Sequence, residues 1–281
     1  MNVVAILKLI RVKQWIKNIF VFGPLIFSKE FLEPDSLFRS FLAFFFFCVA
    51  ASATYILNDI KDVEKDKTHP KKRFRPIAAG QISVKFAYVL YGIFAVLLLG
   101  SFSLGYQYVL SVFAYLLLNV AYSNYLKHQP VLDIFSIATG FVIRVVAGAV
   151  AIPVPLSSWM FITTLCLALY LASIKRRQEL QNHGADNRDV LGQYSIALVD
   201  KYAEMSAIGA IIFYSLFIVT TEPRLSITIP IVLFGLFRYW YSVENLDNGE
   251  SPTDTLLGDY QLLFTCFLWI VISAVVLWPG F

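Results

Sequence analysis

Four oxygen-bearing side chains, Asn58, Asp59, Asp62 and Asp66, follow a charge-free apolar run from Phe41 to Leu57. On a helix that continues past this run, residues three, four and seven apart share a face. Asn58, Asp62 and Asp66 then point the same way, with Asp59 alongside. Amide and carboxylate oxygens in such a row suit a hard divalent cation. Mg²⁺ fits best, because it keeps several waters and binds through one or two carboxylates plus substrate phosphates. The metal ligands expected are therefore Asn58, Asp62 and Asp66. Directly downstream, Lys71, Lys72, Arg73 and Arg75 suit a phosphate that the metal helps neutralise. The plain alternative is a solvated charged loop beside a membrane; the helical spacing and the abutting apolar run speak against it.

A second polar cluster comprises Tyr170, Lys175, Arg176, Arg177 and Glu179. Lys175 and Glu179 share a helical face, and Tyr170 lies more than a turn back. The competing reading is a membrane-surface anchor with one ion pair. Arg144 stands inside an apolar run that begins near Asp133. A charge at that depth costs about 2.5–3.5 kcal/mol on insertion scales, so it faces the bundle interior and takes a partner. That partner is a ligand phosphate, an acid of the first cluster, or an ion pair that only ties helices together. Trp15 suits an interfacial anchor, while Lys17 and Asn18 enter an apolar run and either line a chamber or anchor the chain. Tyr122 through Lys127 form a similar polar rim. Arg238, Tyr239, Thr253, Asp254 and Asp259 read as structural, with Gly249–Asp254 a turn into a capped helix.

These residues need helices that cross a bilayer. Only 15% of the 281 residues are charged and 58% are hydrophobic, against about 25% and 45–50% in soluble domains. The expected fold is all-α: one integral-membrane domain over 1–281 with nine spans, near 15–28, 38–57, 84–104, 107–125, 132–151, 157–174, 196–219, 226–243 and 258–278. The runs are continuous rather than alternating, which excludes a barrel. With the N-terminus in the cytoplasm, nineteen Lys and Arg residues fall on the inner side and three on the outer. No cleavable signal peptide is expected. Cys48, Cys166 and Cys266 lie in apolar runs and read as small buried groups. Net charge +4 with no soluble basic domain argues against nucleic acid as a partner. A homo-oligomer is compatible with the sequence.

Asn58-Asp59-x-x-Asp62-x-x-x-Asp66, Lys72-Arg73-x-Arg75-Pro76, Lys175-Arg176-Arg177-x-Glu179, Leu191-Gly-x-Tyr194-Ser195 and Arg238-Tyr239 before Pro252-Thr253-Asp254 together resemble the UbiA superfamily, in its decaprenyl-phosphate phosphoribosyltransferase branch. The first motif is similar to the superfamily's Asp-rich motif. The second departs from the Asp-rich motif of aromatic prenyltransferases, and Asp186 and Asp189 do not restore it. Acids on one side and cations on the other suit one metal and more phosphate than a prenyl diphosphate brings.

The resemblance implies an intramembrane bundle in the inner (plasma) membrane, with a chamber open to the cytoplasm. It implies Mg²⁺-dependent transfer of the 5-phosphoribosyl group from phosphoribosyl diphosphate (PRPP) to a polyprenyl phosphate, releasing diphosphate. Asp62, Asp66 and Lys175 are then the catalytic candidates. Lys175 and Arg176 take the donor's phosphates; Glu179 and Tyr170 take its ribose hydroxyls or orient Lys175. Arg144, Lys17 or Arg73 receives the lipid phosphate, with Asn18, Asp59, Arg75 and Tyr122 completing the substrate-binding set. Two other activities compete. One is conventional prenyl transfer from an isoprenyl diphosphate, disfavoured by the missing second acidic motif. The other is solute transport, disfavoured because the polar residues gather at one face rather than mid-membrane.

Overall fold

The structure is a computed structural model that describes residues 3–183, 190–245 and 252–278; Asp186, Asp189 and Gly249–Ser251 lie outside the described residues. Every regular element among the described residues is helical. The α-helices are α1 (Val3–Leu9), α2 (Gly23–Phe27), α3 (Pro34–Lys61), α4 (Val63–Thr68), α5 (Val84–Leu99), α6 (Tyr106–Asn124), α7 (Leu132–Ala151), α8 (Ser158–His183), α9 (Ile196–Thr221), α10 (Ile229–Asn245), α11 (Pro252–Gly258) and α12 (Tyr260–Val276). Six segments among the described residues are long and apolar enough to cross a bilayer: Pro34–Lys61, Val84–Leu104, Leu132–Ala151, Ser158–Asn182, Ile196–Thr221 and Pro223–Asn245. A seventh is added if α11 and α12, bent by 92° at Asp259, count as one.

α3 and α7 form the centre. Their apolar windows are 61% and 67% buried, against 17% for Val84–Leu104, which faces outward. Small residues make this possible: Ala43, Ala50, Ala51 and Ser52 on α3, and Ala147, Gly148 and Ala151 on α7, are all buried. The acidic row and Arg144 therefore project from the two most enclosed helices.

Residues 15–28 do not form the single α-helical span expected from their apolarity. Val12–Phe22 winds as a 3₁₀ segment and α2 follows from Gly23. Arg11, at φ 53°, turns the chain from α1 into this segment. The segment lies so close to α7 that a Cβ on Gly148 would stand 2.0 Å from the Val21 carbonyl oxygen. This approach sets Lys17 and Asn18 against the bundle interior.

The C-terminal ends of α3, α6, α8 and α10 and the N-terminal ends of α5, α7 and α9 meet at one end, which carries nearly all the charge. At the opposite end Lys29 Nζ pairs with Glu222 Oε2 at 2.9 Å, and Arg224 Nε with Glu222 Oε1 at 2.7 Å. Hydrogen bonds from Arg224 and Lys29 hold the Glu222 carboxyl down to about 2, from an ordinary 4.5. A depressed carboxylate stabilises the fold above its unfolded value and loses that contribution as pH falls through the folded one. Glu222→Gln is expected to lower the melting temperature by about 1–3 °C at pH 7, a small effect because both partner cations are exposed. The gap between variant and wild type should shrink from pH 4.5 toward 2, which a melting series across pH checks.

Candidate functional site

The acidic end of α3 keeps the helical spacing that the sequence predicts. α3 stops at Lys61, Asp62 (φ −94°, ψ 5°) interrupts it, and α4 resumes at Val63. Hydrogen bonds cross the interruption: the Asp62 N–H donates to the Asn58 carbonyl at 2.9 Å and the Asp66 N–H to the Asp62 carbonyl at 2.8 Å. Asp59 and Asp66 are buried, at 2% and 3% exposure, and share one guanidinium. Arg75 Nη1 lies 2.7 Å from Asp66 Oδ2 and 3.2 Å from Asp59 Oδ1. Arg11 Nη2 closes on Asp59 Oδ1 at 2.7 Å, with its guanidinium 4.4 Å from the Tyr55 ring centroid.

Asn58 and Asp62 differ from that pair. Both are half-buried, and among the described residues neither side chain makes a hydrogen bond or ion pair. Asn58 also borders a crevice of about 230 Å³ between α3, α5 and α6. Two uncommitted oxygen-bearing groups one turn apart, with Asp66 a turn further, are a donor set that fits Mg²⁺. No three His, Cys, Asp or Glu side chains among the described residues converge into a complete cage.

The cations divide into locked and available. Arg176 is locked and fully buried: Nε stands 2.7 Å from Asp133 Oδ2, Nη1 pairs with Glu179 Oε2, and Nη2 donates to the Tyr122 hydroxyl at 3.1 Å. Nη1 and Nη2 are hydrogen-bonded and Nε is ion-paired within the protein, so Arg176 is held by side chains of three helices. Arg144 is locked as well. Nε donates to Asn18 Oδ1 at 2.7 Å, Nη1 to the Gly140 carbonyl at 2.6 Å and Nη2 to the Tyr115 hydroxyl at 3.2 Å. The rings of Tyr115, Phe141 and Phe47 surround the guanidinium at 4.7, 5.4 and 5.9 Å. Asp133, the acid on the same helix, has gone to Arg176 instead. Oxygens and aromatic faces thus compensate the buried charge, without a carboxylate among its hydrogen-bond partners.

Lys175 and Lys17 are the available pair. Lys175 Nζ has Glu179 Oε1 at 3.8 Å, a loose contact with a quarter of the side chain exposed. Lys17 is half-buried and makes no hydrogen bond or ion pair among the described residues. The two lysines lie within electrostatic reach of each other, and Lys17 also of Arg144, Arg11 and Asp254. The N-terminal segment and α8 therefore each bring an ammonium group to the charged end of the bundle. Arg73 is exposed and stacks over Phe74 at 4.9 Å.

Tyr170 does not join the cluster. It is 1% exposed, its hydroxyl donates to the Leu236 carbonyl at 2.8 Å, and its ring packs on Tyr239 and Trp240. Its expected contact with a sugar hydroxyl is replaced by packing of α8 on α10. The end of α6 touches both α8 and α3: the Tyr122 hydroxyl accepts from Arg176 Nη2, and Asn124 Oδ1 accepts from Lys61 Nζ at 2.6 Å. Arg238 and Asp259 are structural, as the sequence suggests. Arg238 Nε meets Asp259 Oδ2 at 2.8 Å, while Asp259 Oδ1 caps α12 through the N–H groups of Gln261 and Leu262.

The fold and this cluster define a multi-pass helical membrane protein with its charged side chains gathered at one end. The chain belongs to the UbiA prenyltransferase family, whose model matches residues 20–257. It is 34% identical to the decaprenyl-phosphate phosphoribosyltransferase of Mycolicibacterium smegmatis, over 95% of this chain and 90% of that protein. Proteins of the same name from Corynebacterium glutamicum and Mycobacterium tuberculosis are 32% and 33% identical, covering 99% and 96% of this chain and 88% and 93% of theirs. The fold is shared with a UbiA homolog from Archaeoglobus fulgidus bound to GPP and Mg²⁺, with a TM-score of 0.75 at 16% identity, covering 97% and 99% of the two chains.

Proposed function

We propose that this chain transfers the 5-phosphoribosyl group of PRPP to a polyprenyl phosphate and releases diphosphate. The observations that carry the proposal are the uncommitted oxygen ligands Asn58 and Asp62 at the end of α3 and the available lysines Lys17 and Lys175 at the same charged end of the bundle. The similarity to the three decaprenyl-phosphate phosphoribosyltransferases supports the same reading. The membrane frame proposed with it is a single domain of nine spans in the plasma membrane, N-terminus and charged end facing the cytoplasm, which the nineteen-to-three bias of Lys and Arg supports.

Breaking the anomeric C–O bond builds positive charge on the sugar and negative charge on the departing diphosphate. Mg²⁺ held by Asn58, Asp62 and Asp66 would supply Lewis-acid charge at that leaving group. The nucleophile is a phosphate oxygen that is already anionic, so no strong base is required. Alignment and fixed charge then carry the catalysis. Lys175 is the donor-side cation and Lys17 the acceptor-side cation, because their ammonium groups keep hydrogen bonds to give. Arg144 holds Asn18, the neighbour of Lys17, in place. Arg75, bridging Asp59 and Asp66, fixes the buried half of the acidic row.

Lys175→Ala is expected to raise the apparent KM for PRPP by about tenfold or more, the scale of one lost charge-assisted hydrogen bond, with little effect on the KM for lipid. Steady-state kinetics with each substrate varied in turn checks this. The activity itself is tested by incubating purified protein, Mg²⁺ and a polyprenyl phosphate with PRPP labelled in the ribose. Label in the lipid phase supports the proposal. No labelled lipid, with turnover of geranylgeranyl diphosphate, points to prenyl transfer instead.

A further inference from the structure

Five side chains form a continuous line from the segment before α9 into the available lysine of α8. The Tyr194 hydroxyl donates to Asp133 Oδ1 at 2.7 Å. The other oxygen of Asp133 stands 2.7 Å from Arg176 Nε. Arg176 Nη1 pairs with Glu179 Oε2, and Glu179 Oε1 faces Lys175 Nζ at 3.8 Å. The charges alternate along the line: acid, base, acid, base. Asp133 and Arg176 are both at 0% side-chain exposure, so neither exchanges its partner for water. Arg176 is thus a strut, and the cation at the end of this line is Lys175, a quarter of whose side chain is exposed.

Two features show that the Tyr194 end is held deliberately. Val131, at the start of α7, has φ 68°, a conformation that a β-branched residue rarely adopts. In that conformation its N–H donates to the Tyr194 hydroxyl at 2.5 Å. Backbone strain of this kind persists where the surroundings over-determine it, and it clusters at functional sites. Burial also pushes the Tyr194 hydroxyl up from its ordinary ionisation range, so it remains an O–H donor to Asp133. The tyrosine therefore accepts from one backbone group and donates to one carboxylate oxygen, which leaves Asp133 a single orientation toward Arg176.

We propose that Tyr194 and Asp133 are positioning residues that act through Arg176 and Glu179 to hold Lys175 where the diphosphate of the donor binds. This rests on the donor-side role given to Lys175 above. Without Tyr194, Asp133 turns, Arg176 follows, and Glu179 shifts away from the lysine ammonium that it faces. The anion affinity of Lys175 then falls although Lys175 is intact. A network that only stabilises the helix contact of α7 with α8 would lower melting and leave anion affinity alone.

The test is calorimetric binding of inorganic diphosphate, with Mg²⁺, to the full chain in lipid nanodiscs. Lys175→Ala should weaken binding by about tenfold, and Tyr194→Phe by about three- to tenfold, the scale of one ordinary hydrogen bond. Asp133→Asn, which keeps the shape and removes the charge, should weaken it as well. The double variant Tyr194→Phe/Lys175→Ala should bind within about twofold of Lys175→Ala, because residues acting through one another do not add. Multiplied losses in the double variant would overturn the proposal. So would lowered melting with unchanged diphosphate affinity, or a wild type that binds no diphosphate. A wild type that binds diphosphate and shows this pattern, yet moves no phosphoribosyl label, would remove the proposed reaction and leave the positioning role standing.

Discussion

Asp62→Asn is expected to reduce phosphoribosyl transfer by at least about 100-fold, the usual scale for losing a group that stabilises leaving-group charge. The substitution keeps the size of the side chain and removes one negative charge from the row. Its effect on folding should be small: Asp62 is half-buried, forms no side-chain bond among the described residues, and sits at the interruption between α3 and α4. Loss of activity without loss of stability is therefore the expected signature. Turnover numbers beside melting curves for the same preparation make the comparison. Activity within about threefold of wild type would remove Asp62 from the catalytic set. Asp59→Asn should behave differently, because Asp59 is buried between Arg11 and Arg75 and its loss leaves two cations under-compensated.

Gly148→Ala is expected to destabilise the bundle by about 3 kcal/mol, the upper range for overpacking a core. The new Cβ would stand 2.0 Å from the Val21 carbonyl oxygen and 2.9 Å from its carbonyl carbon. Both are backbone atoms, so no side chain can swing aside and the 3₁₀ segment itself must move. The same segment carries Lys17 and Asn18, and Asn18 holds Arg144. Displacement of the segment should thus raise the KM for the lipid phosphate along with the loss of stability. Melting of the detergent-purified variant and its lipid KM test the two halves of this statement. A wild-type melting point would show that the segment is not packed on α7 as described. Gly235→Ala makes a useful control, since its nearest neighbour is a Thr265 methyl at an ordinary 3.5 Å.

Much of this was legible in the residues themselves. Length and apolarity placed α3, α5 and α7–α10, because a helix that crosses lipid has no other way to satisfy its backbone. The spacing Asn58, Asp62, Asp66 carried through the interruption at Asp62 because the hydrogen bonds continue across it. The Lys175–Glu179 spacing likewise became a contact. What sequence spacing could not reveal was pairing between distant elements. Asp133 lies eleven positions before Arg144 on α7, and eleven residues of helix separate their side chains by about 16 Å along the axis. Asp133 instead reaches across to Arg176. The resemblance gave Tyr170 to a ribose hydroxyl or to the orientation of Lys175; five positions on a helix turn the two side chains well apart, and Tyr170 packs onto α10. The 3₁₀ form of residues 12–22 had one faint signal, Gly148, whose role appears only once Val21 lies against it. Nothing in the sequence around Arg11 pointed to Asp59, forty-eight residues away.

The central claim is that the acidic end of α3 and the lysine of α8 grip one donor. Equilibrium binding of PRPP, with Mg²⁺, to the wild type, Asp62→Asn and Lys175→Ala in nanodiscs tests it most directly. The account predicts a single site in the wild type whose affinity falls by about tenfold or more in each variant. Unchanged PRPP affinity in both variants would mean that the two clusters do not share a ligand, and would contradict it.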